Sequence, residues 1–201
     1  MILIATQNQG KLNEYRKLLK PHQIISLKQL KSFPQNFKVK ETGHTFKQNA
    51  IIKAKAYGQK TNLPSLADDS GLSIDHLKGF PGVKSARFAK GNYPAANQKI
   101  LKLLKDLPKS KRTASFKIAI AIFNPQTKKL KTITAQTNGW IAFKVRGKNG
   151  FGYDPIFVSS TLNKTFAEFT QNQKNKLSHR AKALKQLTPK VLKELMLPKQ
   201  S

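Results

Sequence analysis

Asp68 and Asp69 are adjacent carboxylates in a chain where carboxylates are scarce, nine Asp and Glu against 38 Lys and Arg. They follow the apolar run Pro64 to Ala67 and precede Ser70-Gly71. The pattern predicts a buried strand that gives way to a turn at the pair, a common place for an active site in a layered α/β protein. Neighbouring carboxylates repel, so a cation beside them, either a metal ion or a Lys/Arg, would keep both ionised at neutral pH. The plainer alternative is an Asx turn in which one of the two caps the local backbone.

Three further groups could do chemistry. Thr6-Gln7-Asn8-Gln9-Gly10-Lys11 falls between a predicted strand and a predicted helix, where backbone N–H groups and the helix dipole favour a phosphate and Lys11 adds a point charge. It is not a Walker A loop, since Ala5 stands in place of the first glycine and Leu12 in place of the metal-binding Ser/Thr. Glu41, flanked by Lys38 and Lys40, is either half of a surface ion pair worth at most about 1 kcal/mol or a second metal carboxylate. With Asp68 and Asp69 it would form a hard, oxygen-rich site suited to Mg²⁺. Lys174, Ser178, His179 and Arg180 lie on or beside a predicted late helix, where the i,i+4 spacing puts Lys174 and Ser178 on one face. His179 and Arg180 could donate to a base carbonyl or an anion, or be solvated charge. Phe151, between glycines, could stack on a base or fill a core.

The elements that must position these groups follow from periodicity and punctuation. Ile2 to Ala5 reads as a strand, and Leu12, Tyr15, Leu18 and Leu19 give Lys11–Lys20 a helical stripe. Thr45 can cap a second helix reaching about Tyr57 with Gly58 as its stop, leading into a strand over Leu66–Asp69. Gly79-Phe80-Pro81-Gly82 signals a turn, and Ala95 to Leu104 a third helix. Thr113–Phe123, a turn at Asn124-Pro125-Gln126-Thr127, and a more polar run to about Thr137 predict a hairpin. Gly147 to Gly152 is a glycine-rich loop entering a buried strand at Ile156-Phe157-Val158. Thr165 to Glu168 is a possible capping box, Leu177, Ala181, Leu184 and Leu187 form the stripe of one late helix, and a last helix starts at Thr188-Pro189. Strand–helix alternation followed by a hairpin and terminal helices implies an α/β fold with a mixed sheet.

Composition narrows the function classes. The 201 residues carry no long linker or low-complexity tract and read as a single domain, 1–201. A hydrophobic content of 38% suits a folded globule better than a disordered polycation, so the net charge of +29 decorates a fold. That charge attracts any polyanion at low salt. The lysines are nevertheless spread along the chain, and neither an RNP strand nor a zinc-finger or basic-zipper pattern occurs, so no specific nucleic acid is expected. There is no cysteine, and the apolar N-terminal run is too short for a signal peptide or a membrane span. A cytoplasmic protein with no membrane partner is expected.

Taken together, the segments ATQNQGKLNE, ETGHTFKQNAIIKA, LADDSGLSIDHLKGFPGVKSARFA, GFGYDPIF and KTFAEFTQNQKNKLSHRAKAL resemble the inosine triphosphate pyrophosphatase family, in the family's order and over nearly the whole chain. The resemblance implies an elongated two-lobed α/β fold around a long mixed β-sheet flanked by helices, and a homodimer. It implies Mg²⁺-dependent hydrolysis of non-standard purine nucleoside triphosphates (ITP, dITP, XTP) to the nucleoside monophosphate and pyrophosphate. It places Thr6, Gln7, Asn8, Gln9, Gly10 and Lys11 on the triphosphate, Glu41 and Asp69 at the metal, and Asp68 there as metal support. Asp69 is also cast as the base for the attacking water, with Ser70 touching substrate. Phe151, Gly152, Tyr153, Asp154, Lys174, His179 and Arg180 would surround the nucleotide. Gln48 and Gln173 stand where the family usually has glutamate, and loss of a carboxylate at Gln48 is expected to weaken metal binding. The alternative from another class is a nucleic-acid-binding protein that uses the basic surface of an enzyme-derived fold.

Overall fold

The computed structural model describes residues 1–30, 33–34 and 36–187. These residues form two compact units: Met1–Asp69 with Ile118–Ala135 and the described residues from Lys182 on, and Ser70–Lys117 with Gln136–Ala181. The predicted helix at Thr188-Pro189 lies outside the described residues. One mixed sheet has the strand order β2-β1-β3-β4-β5-β6, and helices complete an α/β fold.

In the first unit, β1 (Ile2–Ile4) is wholly buried and pairs in parallel with β2 (Ile24–Ser26) on one side and β3 (Ser65–Ile74) on the other. Between β1 and β2 runs α1 (Gln9–Leu18), which begins two residues earlier than its apolar stripe suggests because Asn8 caps it, its side chain accepting from Lys11 N at 3.0 Å. Gly10 and Lys11 therefore belong to the first helical turn. The connection from β2 to β3 contains α2 (Phe46–Thr61), started by the Thr45 capping box and ended by Asn62 in the left-handed conformation, φ 53°. Gly58 does not stop α2; it lies inside the helix, where a Cβ would press on the Ser65 hydroxyl and the Phe123 ring. Here glycine serves close packing.

The helices cover opposite faces of this part of the sheet. Leu66 of β3 shares a core with Leu12 and Tyr15 of α1, whereas Ala67, its neighbour, shares another with Ala50 and Ala54 of α2. This is the period-2 alternation of a strand buried on both sides. The strand does not turn at Asp68-Asp69 as the sequence suggested, but continues to Ile74. Gly71 supplies the reason: a Cβ there would collide with the Ser85 hydroxyl and the Gly82 carbonyl. The glycine admits a neighbouring segment and marks no bend, and Ser85 Oγ accepts from Leu72 N at 3.1 Å while donating to Gly82 O at 2.6 Å.

The second unit contains α3 (Ser85–Ala89), α4 (Tyr93–Leu103) capped by Asn92, and β6 (Phe157–Ser159) antiparallel to β5 (Leu130–Ile141), with Trp140 opposite Val158. β4 (Thr113–Phe123) and β5 are neighbours joined by the predicted turn, and β5 runs four residues beyond Thr137. The single late helix is instead two: α5 (Gln171–Leu177) and α6 (His179–Leu184). Ser178 between them is extended, φ −68° and ψ 154°, and its hydroxyl accepts from Ala181 N at 3.2 Å. A serine that caps the next helix breaks the apolar stripe that had read as continuous, so the i,i+4 argument for Lys174 and Ser178 does not hold.

Candidate functional site

Strand order 2-1-3 means that the chain leaves β1 in one direction and returns on the other side of it. Ligands of open α/β sheets bind outside the carboxyl ends of strands at such a switch point. Here the carboxyl end of β1 carries the Thr6–Lys11 segment, and β3 runs on past that end, with Asp68-Asp69 just beyond the residues Ser65 and Leu66 that pair with β1; Ala5 N donates to Leu66 O at 2.8 Å. Thr6 Oγ1 accepts from Asn8 N at 3.2 Å, fixing the loop that enters α1. No acidic residue occupies the first turn of α1, so its N-terminal dipole is left to favour an anion.

The two aspartates have different partners. Asp68, on the face of α1, pairs with Lys11 Nζ at 2.9 Å and its side chain is almost wholly buried. Asp69, on the face of α2, accepts from Asn49 Nδ2 at 3.0 Å through Oδ2 and lies 3.5 Å from Lys53 Nζ through Oδ1. The same Lys53 nitrogen is 2.8 Å from Glu41 Oε1. Glu41 and Asp69 thus converge on one cation position, held by the Lys53 ammonium, and Asp68 is brought to Lys11. Among the described residues no cluster of three or more His, Cys, Asp or Glu is arranged to hold a metal. Two carboxylates facing one cation position nevertheless fit Mg²⁺, which uses one or two protein carboxylates and keeps most of its waters.

Burial pushes the Asp69 carboxyl above the usual aspartate range, and the Lys53 charge and the Asn49 amide only partly counter it. Burial acts the other way on Lys53, but the Asp69, Asp68 and Glu41 charges together outweigh it and hold the ammonium above its ordinary value. A carboxylate raised in this way is a better proton acceptor than an exposed one.

The sequence reading missed Asn49 and Lys53. A signal existed: both are polar, four residues apart, and set in the stripe of Ala50 and Ala54, so a buried polar pair on an apolar face called for a partner elsewhere.

Gln48 has a structural task at the start of α2. Its Oε1 accepts from His44 N at 2.8 Å and Thr45 N at 3.1 Å, closing the α2 capping box on an exposed surface. Gln173 does the same for α5, accepting from Thr170 N at 2.9 Å. Glutamine and glutamate are interchangeable acceptors in this motif, so both departures keep the cap and lose only a charge.

In the second unit, Phe151 and Gly152 (φ 69°) sit in the glycine loop. Asp154 organises it: its Oδ2 accepts from Phe151 N at 2.8 Å and from Lys174 Nζ at 2.6 Å. The Lys174 ammonium also lies over the Phe151 ring, 4.5 Å from its centroid. Asn97 of α4 donates to Gly152 O at 3.2 Å. Tyr153 is buried, its hydroxyl donating to Ser85 O at 2.7 Å, and burial raises its phenol well above the usual range. His179 is buried and stacked on Phe116, with ring centroids 5.0 Å apart and planes 19° from parallel, and Arg180 beside it is buried as well. Ser70, the first residue of this unit, is half-buried in β3.

The Ham1 family profile matches residues 2–190. The chain belongs to the Ham1 family. It is 46% identical over 188 residues to the dITP/XTP pyrophosphatase of Bacillus subtilis, covering 92% of this chain and 94% of that protein. With the dITP/XTP pyrophosphatase of Lactiplantibacillus plantarum it shares 44% identity over 190 residues, 94% and 93% of the two chains. The Ham1 protein of Coxiella burnetii superposes with a TM-score of 0.83 at 42% identity, over 96% of this chain and 98% of the other. The Staphylococcus aureus Ham1 protein gives the same TM-score and coverage at 37% identity. This Ham1 chain therefore matches its relatives over nearly their full lengths, and the mixed α/β fold is that of the family.

Proposed function

We propose that this protein hydrolyses non-standard purine nucleoside triphosphates, dITP and XTP among them, to the nucleoside monophosphate and pyrophosphate. Its Bacillus subtilis and Lactiplantibacillus plantarum relatives are dITP/XTP pyrophosphatases, which supports this. The observation in the chain itself that carries it is the convergence of Glu41, Asp69 and Lys53 beside the Thr6–Lys11 segment at the switch point.

In this reading the amides opening α1 and the Lys11 ammonium bind phosphate oxygens. Glu41 and Asp69 would hold Mg²⁺, with Asp68 supporting through Lys11. When bound, that ion neutralises phosphate charge and orients the anhydride. Asp69 takes a proton from the attacking water, whose oxygen forms the new bond to the α-phosphorus. The bond from that phosphorus to the α,β-bridging oxygen breaks, and pyrophosphate leaves with the electron pair.

Ser70, Phe151, Gly152, Tyr153, Asp154, Lys174, His179 and Arg180 are assigned to the nucleoside. Phe151 stacks on the base, and Asp154 and Lys174 keep that ring in place. His179 and Arg180 donate to the 6-carbonyl of hypoxanthine or xanthine, where adenine presents a donor instead. We read the protein as a cytoplasmic homodimer acting as one domain over 1–201, on the family resemblance.

Pyrophosphate release from dITP, XTP, ATP and GTP, with Mg²⁺ and with chelator, tests the reading. A kcat/KM for XTP or dITP at least about 10²-fold above that for ATP is expected, the scale available when a site reads a polar group. Equal turnover of all four nucleotides, or undiminished turnover in chelator, would overturn it.

A further inference from the structure

We propose that Lys53 is an exchangeable counter-ion: without metal its ammonium binds Glu41 and Asp69 together at the position the divalent cation takes, and metal binding displaces it. The inference rests on the metal-site reading above and adds a competitor to it.

The geometry carries the argument. One nitrogen sits 2.8 Å from Glu41 Oε1 and 3.5 Å from Asp69 Oδ1, the two acids assigned to the metal. Mg²⁺ draws its oxygens to about 2.0–2.1 Å and carries two positive charges. An ammonium left in contact with the same oxygens would be repelled, so the two cations exclude each other. Lys53 is suited to leave, because its charge ends a flexible four-carbon stem. Asn49, one turn earlier on α2, holds the other Asp69 oxygen, Oδ2, at 3.0 Å. The aspartate therefore stays oriented while its counter-ion changes. Lysine also answers a problem specific to the metal-free protein: Asp69 is mostly buried and Glu41 partly so, and two such carboxylates without a cation would repel across a poorly solvated gap.

A resident competitor lowers apparent metal affinity by the cost of expelling it, as any pre-equilibrium does. Removing the charge should remove that cost. Calorimetric titration of Mg²⁺ and of Mn²⁺ into the full-length protein without nucleotide reads this directly. Lys53→Met, which keeps the stem, is expected to bind metal about tenfold or more tightly than wild type. Lys53→Gln, neutral but polar, should shift in the same direction and serves if the methionine variant does not fold. Metal-free Lys53→Met should melt below wild type and show the larger rise in Tm on adding Mg²⁺.

If wild type binds metal and both variants bind it equally or more weakly, the counter-ion role is overturned while the metal site stands. If neither wild type nor variants bind, the site reading and this inference fall together. Binding in the variants but not in wild type would be the strongest support, with Lys53 excluding the ion until substrate is present.

Discussion

Asp68 and Asp69 are consecutive in the chain, yet Asp68 meets Lys11 of α1 and Asp69 meets Asn49 and Lys53 of α2. Strand alternation separates two like charges onto opposite faces and gives each its own cation. The pair is therefore not a shared-proton dyad. One acid anchors Lys11, and the other is the one proposed above as the base.

Asp69→Asn keeps the shape and an acceptor for Asn49 but removes the charge. Loss of the base should lower kcat about 10²–10⁴-fold at saturating metal, with a folded protein by circular dichroism. Retention of more than about a tenth of wild-type kcat would remove Asp69 from the role of base.

Gln48→Glu should stabilise the protein and leave the Mg²⁺ concentration for half-maximal activity unchanged. Glutamate retains the capping box, and a negative charge enters the first turn of α2, which has none. Such a charge contributes about 0.3–1 kcal/mol, a rise in Tm of about 1–3 °C for a chain of this size. A marked fall in the half-saturating Mg²⁺ concentration would instead place residue 48 at the metal.

Asn97→Ala tests the seat of the Phe151 loop, proposed above to stack on the base. Asn97 is buried and its amide donates to the Gly152 carbonyl, so alanine leaves that carbonyl without its partner and frees the backbone beside Phe151. kcat/KM should fall about tenfold, equivalent to about 1.4 kcal/mol, mostly through KM. Unaltered KM in a folded variant would show that Phe151 is positioned by Asp154 and Lys174 alone.

Glu168 gives a pH prediction with a definite sign. Its Oε2 accepts from Thr165 N at 2.7 Å, and this backbone hydrogen bond, ahead of Arg146 and Lys164, holds the carboxyl below its ordinary value of 4.5. A depressed folded-state value contributes stability that is present above the unfolded value and is lost as pH falls through the folded one. Glu168→Gln should therefore melt about 1–3 °C below wild type at pH 7, and the gap should close as pH falls below 4.5 and through the depressed folded-state value. Equal melting of the two proteins at pH 7 would mean that the cap works through shape alone.

Local chemistry was legible in the sequence. Thr45 caps its helix through a side chain that reaches only three residues along the chain, and the apolar runs at Ile2–Ile4 and Thr113–Phe123 have few alternatives to burial. The candidate residues around Thr6–Lys11, Glu41 and Asp69 could be named because their types and order are matched by the family. Tertiary structure decided which of them meet. Gly71 looked like a turn and proved to be a place of close approach, because what excludes a side chain there is Ser85, fourteen residues away. Once β3 continues through that glycine, its pleat sends Asp68 and Asp69 apart, and the partner of each depends on which helix covers that face. Lys53 was overlooked for the same reason: its role is set by two carboxylates, twelve and sixteen residues distant, that only the fold brings to one nitrogen.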